Sequence, residues 1–186
     1  ITRTIQLGPV SDEQRRVYTL VLKGHLSLQN LCFPRGASGT QLDAVARTAM
    51  WREGMNFMHG TGHGVGSYLS VHEGPHQIRQ EYRPAPMLEG MTVTDEPGLY
   101  LEGKFGVRIE NTLLTVPYIT TEFGRFLRFE PLTLCPIDTA PIVKEMLSAE
   151  ETACLNAYHE MVYDRLAPHL DEEHRTWLRK KTQALR

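Results

Sequence analysis

Met58-His59-Gly60-Thr61-Gly62-His63-Gly64-Val65-Gly66-Ser67-Tyr68-Leu69-Ser70-Val71-His72-Glu73-Gly74-Pro75 concentrates three of the chain's eight histidines and five glycines in eighteen residues. A hydrophobic core does not use that mixture. Glycine lets the backbone take φ > 0 and approach another group closely. Histidine titrates near neutral pH and is the commonest metal ligand. The run reads either as a site, with backbone drawn tight so that imidazoles converge, or as a mobile polar loop. Two stretches downstream favour the site: Thr94-Asp95-Glu96-Pro97-Gly98 and Val107-Arg108-Ile109-Glu110-Asn111.

Glu96 and Glu110 are equidistant from Gly103, which lies in an expected turn. A hairpin folded about residue 103 sets the two glutamates opposite each other, with Cβ atoms about 5 Å apart. Two carboxylates that close need a metal pair or a shared proton between them. The plainer reading is two exposed glutamates on a sheet face, but their apolar surroundings weigh against it. Arg108 shares a strand face with Glu110 and can orient it through a bidentate contact, or be a rim arginine. His59 and His63 are spaced i, i+4, yet Gly60, Gly62, Gly64 and Gly66 argue against a helix. No glutamate follows His59, so the zinc-protease pair is absent. One of these histidines can bind metal while the other contacts substrate. His72 is a third site residue or a partner of Glu73. His25 reads as a satisfied helix-face residue, and His76, His159, His169 and His174 as surface histidines. No Gly-x-Ser-x-Gly elbow and no phosphate loop with its lysine are present.

At 186 residues the chain fits one ordinary domain with a real core. A net charge of −2 gives no footprint for nucleic acid or an anionic membrane. No apolar run approaches the roughly 18 residues that span a bilayer. Cys32, Cys135 and Cys154 are far apart, odd in number and form no Cys-x-x-Cys pair. They read as buried, inert thiols in a reducing, cytoplasmic setting.

Residues 2–7 alternate and read as a strand already under way; with no initiating methionine, a piece of a longer protein is expected. Ser11 and Gln14 form a capping box that opens a helix to about Phe33, with Val17, Leu20, Val21, Gly24, Leu28 and Leu31 as its buried stripe. A second helix is expected over 40–53, capped by Thr40 and Asp43. A loop covers 76–86, and strands are expected over 91–96, 107–116 and 126–134. Ser148 starts a helix with Leu155, Tyr158, His159, Val162 and Leu166 at helical spacing, and a charged helix follows over about 171–185. This is an α+β pattern, not a regular βαβ alternation.

The runs His59–Gly66, Val71-His72-Glu73-Gly74-Pro75, Asp95-Glu96-Pro97-Gly98-Leu99-Tyr100 and Gly106-Val107-Arg108-Ile109-Glu110-Asn111 closely resemble the catalytic domain of aminopeptidase P, the Xaa-Pro aminopeptidase branch of the pita-bread metallopeptidases. Ile1-Thr2-Arg3-Thr4 and Phe129-Glu130-Pro131-Leu132-Thr133-Leu134 resemble its long, three-domain form. The resemblance implies the C-terminal part of a pita-bread domain over residues 1–147, with a curved antiparallel sheet flanked by helices, and a helical extension over 148–186. It implies a dinuclear site of two divalent metal ions, manganese foremost and zinc or cobalt as alternatives, held by two Asp, one His and two Glu. His63, Glu96 and Glu110 then match the metal ligands, with Glu96 also the proton carrier. His59 and His72 match substrate-side histidines, and Arg108 a residue supporting the metal carboxylates.

In that family the two Asp ligands lie just upstream of the Ile-Thr-Arg-Thr segment, so this chain carries three ligands of five. As a piece, it is expected to hold one metal or none and to be inactive alone. Its expected substrates are proline-containing peptides. A prolidase-like dipeptidase and a catalytically silent module that binds peptides or proteins are the alternatives. The tail from Ser148 is expected either to pair two copies as a homodimer or to pack on its own domain.

Overall fold

The computed structural model describes residues 1–68 and 70–186. Among them, four α-helices and eight strands follow in the order α1 (Asp12–Gln29), β1 (Cys32–Pro34), α2 (Gly39–Trp51), β2 (Gly62–His63), β3 (Gln77–Ile78), β4 (Thr92–Asp95), β5 (Gly98–Leu101), β6 (Phe105–Arg108), β7 (Asn111–Thr121), β8 (Gly124–Pro131), α3 (Ala149–Leu166) and α4 (Glu172–Lys181).

Helix starts follow their caps. The Ser11 hydroxyl accepts from Gln14 N while Gln14 Oε1 accepts from Ser11 N, so two orphan donors are satisfied reciprocally. Ser148 and Glu151 repeat the device at α3. At α2 the box is Ser38 with Gln41, two residues earlier than the sequence suggests. Thr40 instead donates to the Glu81 carbonyl, and Asp43 is buried against Arg47. Helix α1 stops short of Phe33. Asn30 folds its side-chain amide back onto Leu26 O, and the chain turns into β1.

An antiparallel sheet runs in the order β1-β8-β7-β4. Its core partners are α1 and α2, which bury Leu28, Leu42 and Ala46 with Val93, Leu113, Leu127 and Phe129. Helices α1 and α2 cross in near-contact, because a Cβ on Gly24 would lie 2.2 Å from Ala46 O. A second cluster joins α1, α3 and α4 to the β5–β6 hairpin through Val17, Val21, Leu99, Val107, Leu155, Val162 and Leu178. The apolar stripe of the tail is thus buried within its own chain.

The hairpin centre falls where the sequence puts it. Gly98 opposes Arg108 and Tyr100 opposes Gly106, while farther out Asp95 opposes Asn111. Both ladders are symmetric about Gly103, which takes φ +69° in the turn. The expected single strand over 107–116 is nevertheless two strands, broken at Ile109-Glu110. Across the break stands Pro97, which has no N–H to give. Glu110 turns instead to Thr2, donating to its carbonyl at 3.0 Å and accepting from its N–H at 3.4 Å.

The expected strand over 2–7 is reduced to that one bridge. The next pairing is made by a side chain: the Thr4 hydroxyl accepts from Arg108 N and donates to Arg108 O. The loop expected over 76–86 contains β3, paired with β2. Two histidines expected at the surface are buried. His76 Nε2 contacts Thr92 O at 2.7 Å. His159 Nε2 accepts from Ile137 N, and burial pushes its imidazole down to about 4. Cys32 is exposed and Cys135 and Cys154 half-buried, all as free thiols, which corrects the expectation of buried ones. No helix among the described residues is long and apolar enough to cross a membrane.

Candidate metal centre

The gap between the two ladders is where function gathers. His63, Glu96 and Glu110 each offer a ligand atom, and these atoms all lie within 4.8 Å of one another. His63 sits on β2, Glu96 just past β4 and Glu110 just before β7. Strand β2 is pressed onto β4: a Cβ on Gly62 would lie 1.8 Å from Thr94 O. Gly62→Ala should therefore push the strands apart and lower stability by about 1–3 kcal/mol, measurable by urea unfolding; an unchanged midpoint would show that β2 shifts freely.

The protonation of His63 follows from its neighbours. Its Nδ1 lies 2.9 Å from the Gly64 carbonyl, which can only accept. Nδ1 therefore carries the proton, and the Nε2 lone pair faces the carboxylates, 3.3 Å from Glu96 Oε1. His59 is set the same way. Nδ1 donates to Gly60 O, and Nε2 accepts from the Tyr100 hydroxyl at 3.0 Å. The His72 ring lies against His63, tilted by 44° with centroids 4.1 Å apart, and its side chain is exposed; among the described residues no hydrogen bond joins it to Glu73. His59, His63, His72, Glu96, Tyr100 and Arg108 line one open cleft.

Arg108 does not grip Glu110. Its Nε donates to the Thr2 hydroxyl at 3.1 Å, and that hydroxyl donates to Glu110 Oε2 at 2.5 Å. Arg108 acts on Glu110 through Thr2, and its other arm reaches the Tyr100 hydroxyl at 3.4 Å. The contact that the shared strand face suggests is intercepted by a segment far away in sequence. Thr94 does similar work on the other side, accepting from His63 N and donating to Glu96 Oε1 at 3.1 Å. Thr2, Thr94 and Tyr100 were not singled out from sequence, although each stands within a motif that was.

The donor set fits a hard divalent cation: two carboxylates and one imidazole, with no thiolate. Burial, and next the nearby Glu110, hold the Glu96 carboxyl above the usual carboxylate range. A cation between the two would reverse that.

The remaining wall of the cleft hangs on a buried ion pair. Arg47 and Asp43 are 1% and 2% exposed. Arg47 Nε and Nη2 donate to Asp43 at 2.6 and 3.2 Å, and its remaining donors reach the carbonyls of Phe57 and His59 and the Asn56 side chain. Thr61 donates to Asp43 Oδ1 at 2.6 Å and accepts, through its carbonyl, from Glu96 N at 2.7 Å. The pair thus links α2 to the backbone that carries His59 and Glu96. Asp43 and Asp12 lie outside the cluster of His63, Glu96 and Glu110.

Comparison with known proteins gives a consistent picture. The profile of Metallopeptidase family M24 matches residues 1–117, and that of the C-terminal region of peptidase_M24 matches residues 125–185. Aminopeptidase P1 of Lotus japonicus is 45% identical over 188 residues, covering 98% of this chain and 28% of its own length. Probable Xaa-Pro aminopeptidase P of Aspergillus niger is 42% identical over 192 residues, covering 100% and 31%. Among solved structures, the X-prolyl aminopeptidase of Caenorhabditis elegans, described as a cytosolic enzyme with a di-nuclear active site, superposes with a TM-score of 0.92 at 39% identity, over 98% of this chain and 31% of that one. Prolidase from Pyrococcus furiosus superposes with a TM-score of 0.57 at 34% identity, over 68% and 35%. The chain spans less than a third of the length of these aminopeptidase relatives.

Proposed function

This chain belongs to metallopeptidase family M24, and we propose that it is the C-terminal part of the catalytic domain of an Xaa-Pro aminopeptidase. Its sheet and helices are part of the pita-bread fold. In this reading residues 1–147 supply the catalytic part and residues 148–186 a helical extension. The substrates are peptides with proline in the second position, and the setting is cytoplasmic. The observation that carries the proposal is the convergence of His63, Glu96 and Glu110 in a cleft that also holds His59 and His72.

The two glutamates and the His63 Nε2 would hold divalent metal, manganese foremost, together with the two aspartates that the family places upstream. When bound, the metal pair supplies Lewis acidity and lowers the pKa of water towards neutrality. Glu96 takes the proton of the attacking water on a carboxylate oxygen and returns it to the leaving proline nitrogen. His59 and His72 flank the scissile peptide on the substrate side, and the exposed His72 ring donates to the oxygen on which charge develops. Tyr100, between His59 and Arg108, fixes the His59 ring. Arg108, acting through Thr2, keeps Glu110 from rotating away.

Three of five ligands is a poor site, because metal affinity depends on ligand number and charge. The chain alone is expected to hold one metal or none and to be inactive. The experiment is metal content after loading with manganese, beside hydrolysis of an Xaa-Pro-Xaa peptide. It is run on this chain and on a form extended upstream through the expected aspartates. The expected result is two metals and cleavage in the extended form only. Cleavage by the short chain would overturn the ligand assignment. Metal binding without cleavage in the extended form would favour a silent peptide-binding module, and cleavage of dipeptides alone would favour a prolidase.

A further inference from the structure

Beneath the carboxylate cluster lies a polar layer that the proposed mechanism does not use. Asp95 and Asn111 oppose each other across β4 and β7, each directly beside one of the two glutamates. Both are 0% exposed, as is His25 on α1, with Gln29 one turn further along at 4%. Charged and polar groups this deep persist only where partners satisfy them. The partners can be counted. Asn111 Nδ2 donates to Gln29 Oε1 at 2.7 Å and lies 3.3 Å from His25 Nε2. Asn111 Oδ1 accepts from Arg3 Nη2 at 2.7 Å and from the Tyr158 hydroxyl at 3.3 Å. Arg3 Nη1 also donates to the Glu110 carbonyl at 2.7 Å. Among the described residues neither Asp95 oxygen nor the His25 Nδ1 makes a hydrogen bond of good geometry, and the two groups face each other as a close polar contact, Nδ1 standing 3.0 Å from Oδ2.

An amide nitrogen only donates, so the His25 Nε2 facing Asn111 must be the accepting atom, which leaves the ring proton on Nδ1, towards Asp95. One imidazole then spans the two residues that precede and follow the metal carboxylates. We propose that His25 is a positioning residue for the metal centre: held by α1, it ties Asp95 to Asn111 and so fixes the separation of Glu96 and Glu110. The proposal rests on the metallopeptidase reading of that cluster. Gln29, at i+4 from His25 on the same helix face, holds the far side of Asn111. The N-terminal segment enters through Arg3, and α3 through Tyr158. Helix α1 is placed to do this because Gly24 lets it sit directly on α2.

The test needs readouts that a general packing role would not move. In this metal-free chain, nitrogen-15 NMR of histidine should show His25 neutral with its proton on Nδ1; a proton on Nε2 overturns the inference. In His25→Leu, amide exchange should rise about tenfold or more at Glu96 and Glu110, whose N–H groups bond Thr61 O and Thr2 O. It should stay unchanged at Thr182, which bonds Leu178 O in α4. Equal acceleration at all three sites would mark His25 as core packing only and overturn the proposal.

In the upstream-extended form, His25→Leu should weaken manganese binding about 10–100-fold, the usual range for groups that orient metal ligands. His25→Asn keeps a donor towards Asp95 and should recover most of the loss; equal loss in both variants counts against the inference. If the unaltered extended form binds no manganese, the metal reading fails, and tautomer and exchange still decide whether His25 couples the two strands.

Discussion

Replacing Arg47 by methionine is expected to lower the unfolding free energy by about 3–5 kcal/mol, the range measured when one partner of a buried ion pair is removed. The hydrophobic stem is kept, so little of the loss is cavity. What remains is Asp43, 2% exposed, with a carboxylate bonded only to the Thr61 hydroxyl among the contacts described. The carbonyls of Phe57 and His59 lose their guanidinium donor at the same time, and the cation over the Phe57 ring at 3.7 Å is gone. Domains of this size have about 5–15 kcal/mol to lose, so this is a large share of the total and should lower the urea midpoint markedly.

The double variant Asp43→Leu with Arg47→Met separates charge burial from hydrogen bonding. Removing both charges should recover part of the loss, leaving about 1–3 kcal/mol for the orphaned carbonyls and hydroxyl. Urea unfolding of these two variants, of Asp43→Leu alone and of the unaltered chain closes the cycle. A single-variant loss under about 1 kcal/mol would show that water reaches the pair and that the strap behind His59 is not dry.

That ion pair marks where sequence reading succeeds and where it fails. Local rules were legible: Ser11 and Ser148 announce their helices, and Gly103 announces a hairpin whose symmetry brings Glu96 to Glu110. The candidate trio His63, Glu96 and Glu110 could be named because its members sit in short motifs that resemble those of the aminopeptidase P family. The residues that hold the trio in place were harder to read, because their partners lie far along the chain. His25 and Asn111 are 86 residues apart, and Thr2 and Glu110 are 108 apart. A signal for His25 was nonetheless present. It lies four residues after Val21 and three before Leu28, inside the apolar stripe of α1. A polar residue in such a stripe must meet a buried partner. The same holds for His159 beside Tyr158 on α3. Residues 2–7 misled because β-branched alternation was read as backbone pairing, whereas Thr4 makes its bonds through its hydroxyl. At α2, both Ser38/Gln41 and Thr40/Asp43 had capping spacing, and only the burial of Asp43 against Arg47 decides between them.

Glu96→Gln is expected to act in opposite directions on metal-free and metal-loaded protein. Without metal, burial and the neighbouring Glu110 raise the Glu96 pKa in the folded chain above its unfolded value of about 4.3. A raised carboxyl binds its proton more tightly when folded. Its contribution to stability is therefore full below about pH 4.3 and is lost as pH rises through the folded pKa. Metal-free protein should lose stability over that window, and Glu96→Gln should not lose this part of it. Asp95, whose pKa burial also raises despite the His25 contact, adds a slope of the same sign; the Glu96 charge is among the causes that raise it, so this slope is smaller in Glu96→Gln and widens the difference in the same direction. At neutral pH the metal-free variant should be the more stable of the two.

In the upstream-extended form with manganese the order reverses. Ligand binding to the folded state adds about 2.7 kcal/mol at a hundredfold excess over Kd. The variant, with a neutral amide for a carboxylate ligand, should gain much less. Its turnover should fall by about 10²–10⁴, the range assigned to a positioned proton carrier, with the metal deficit adding to that. Thermal unfolding from pH 4 to 8, with manganese and with chelator, reads the stability changes, and peptide hydrolysis reads the turnover. If Glu96→Gln destabilises the metal-free chain at neutral pH, the two glutamates do not repel there, and a proton shared between them replaces the cation as the reason they stand together.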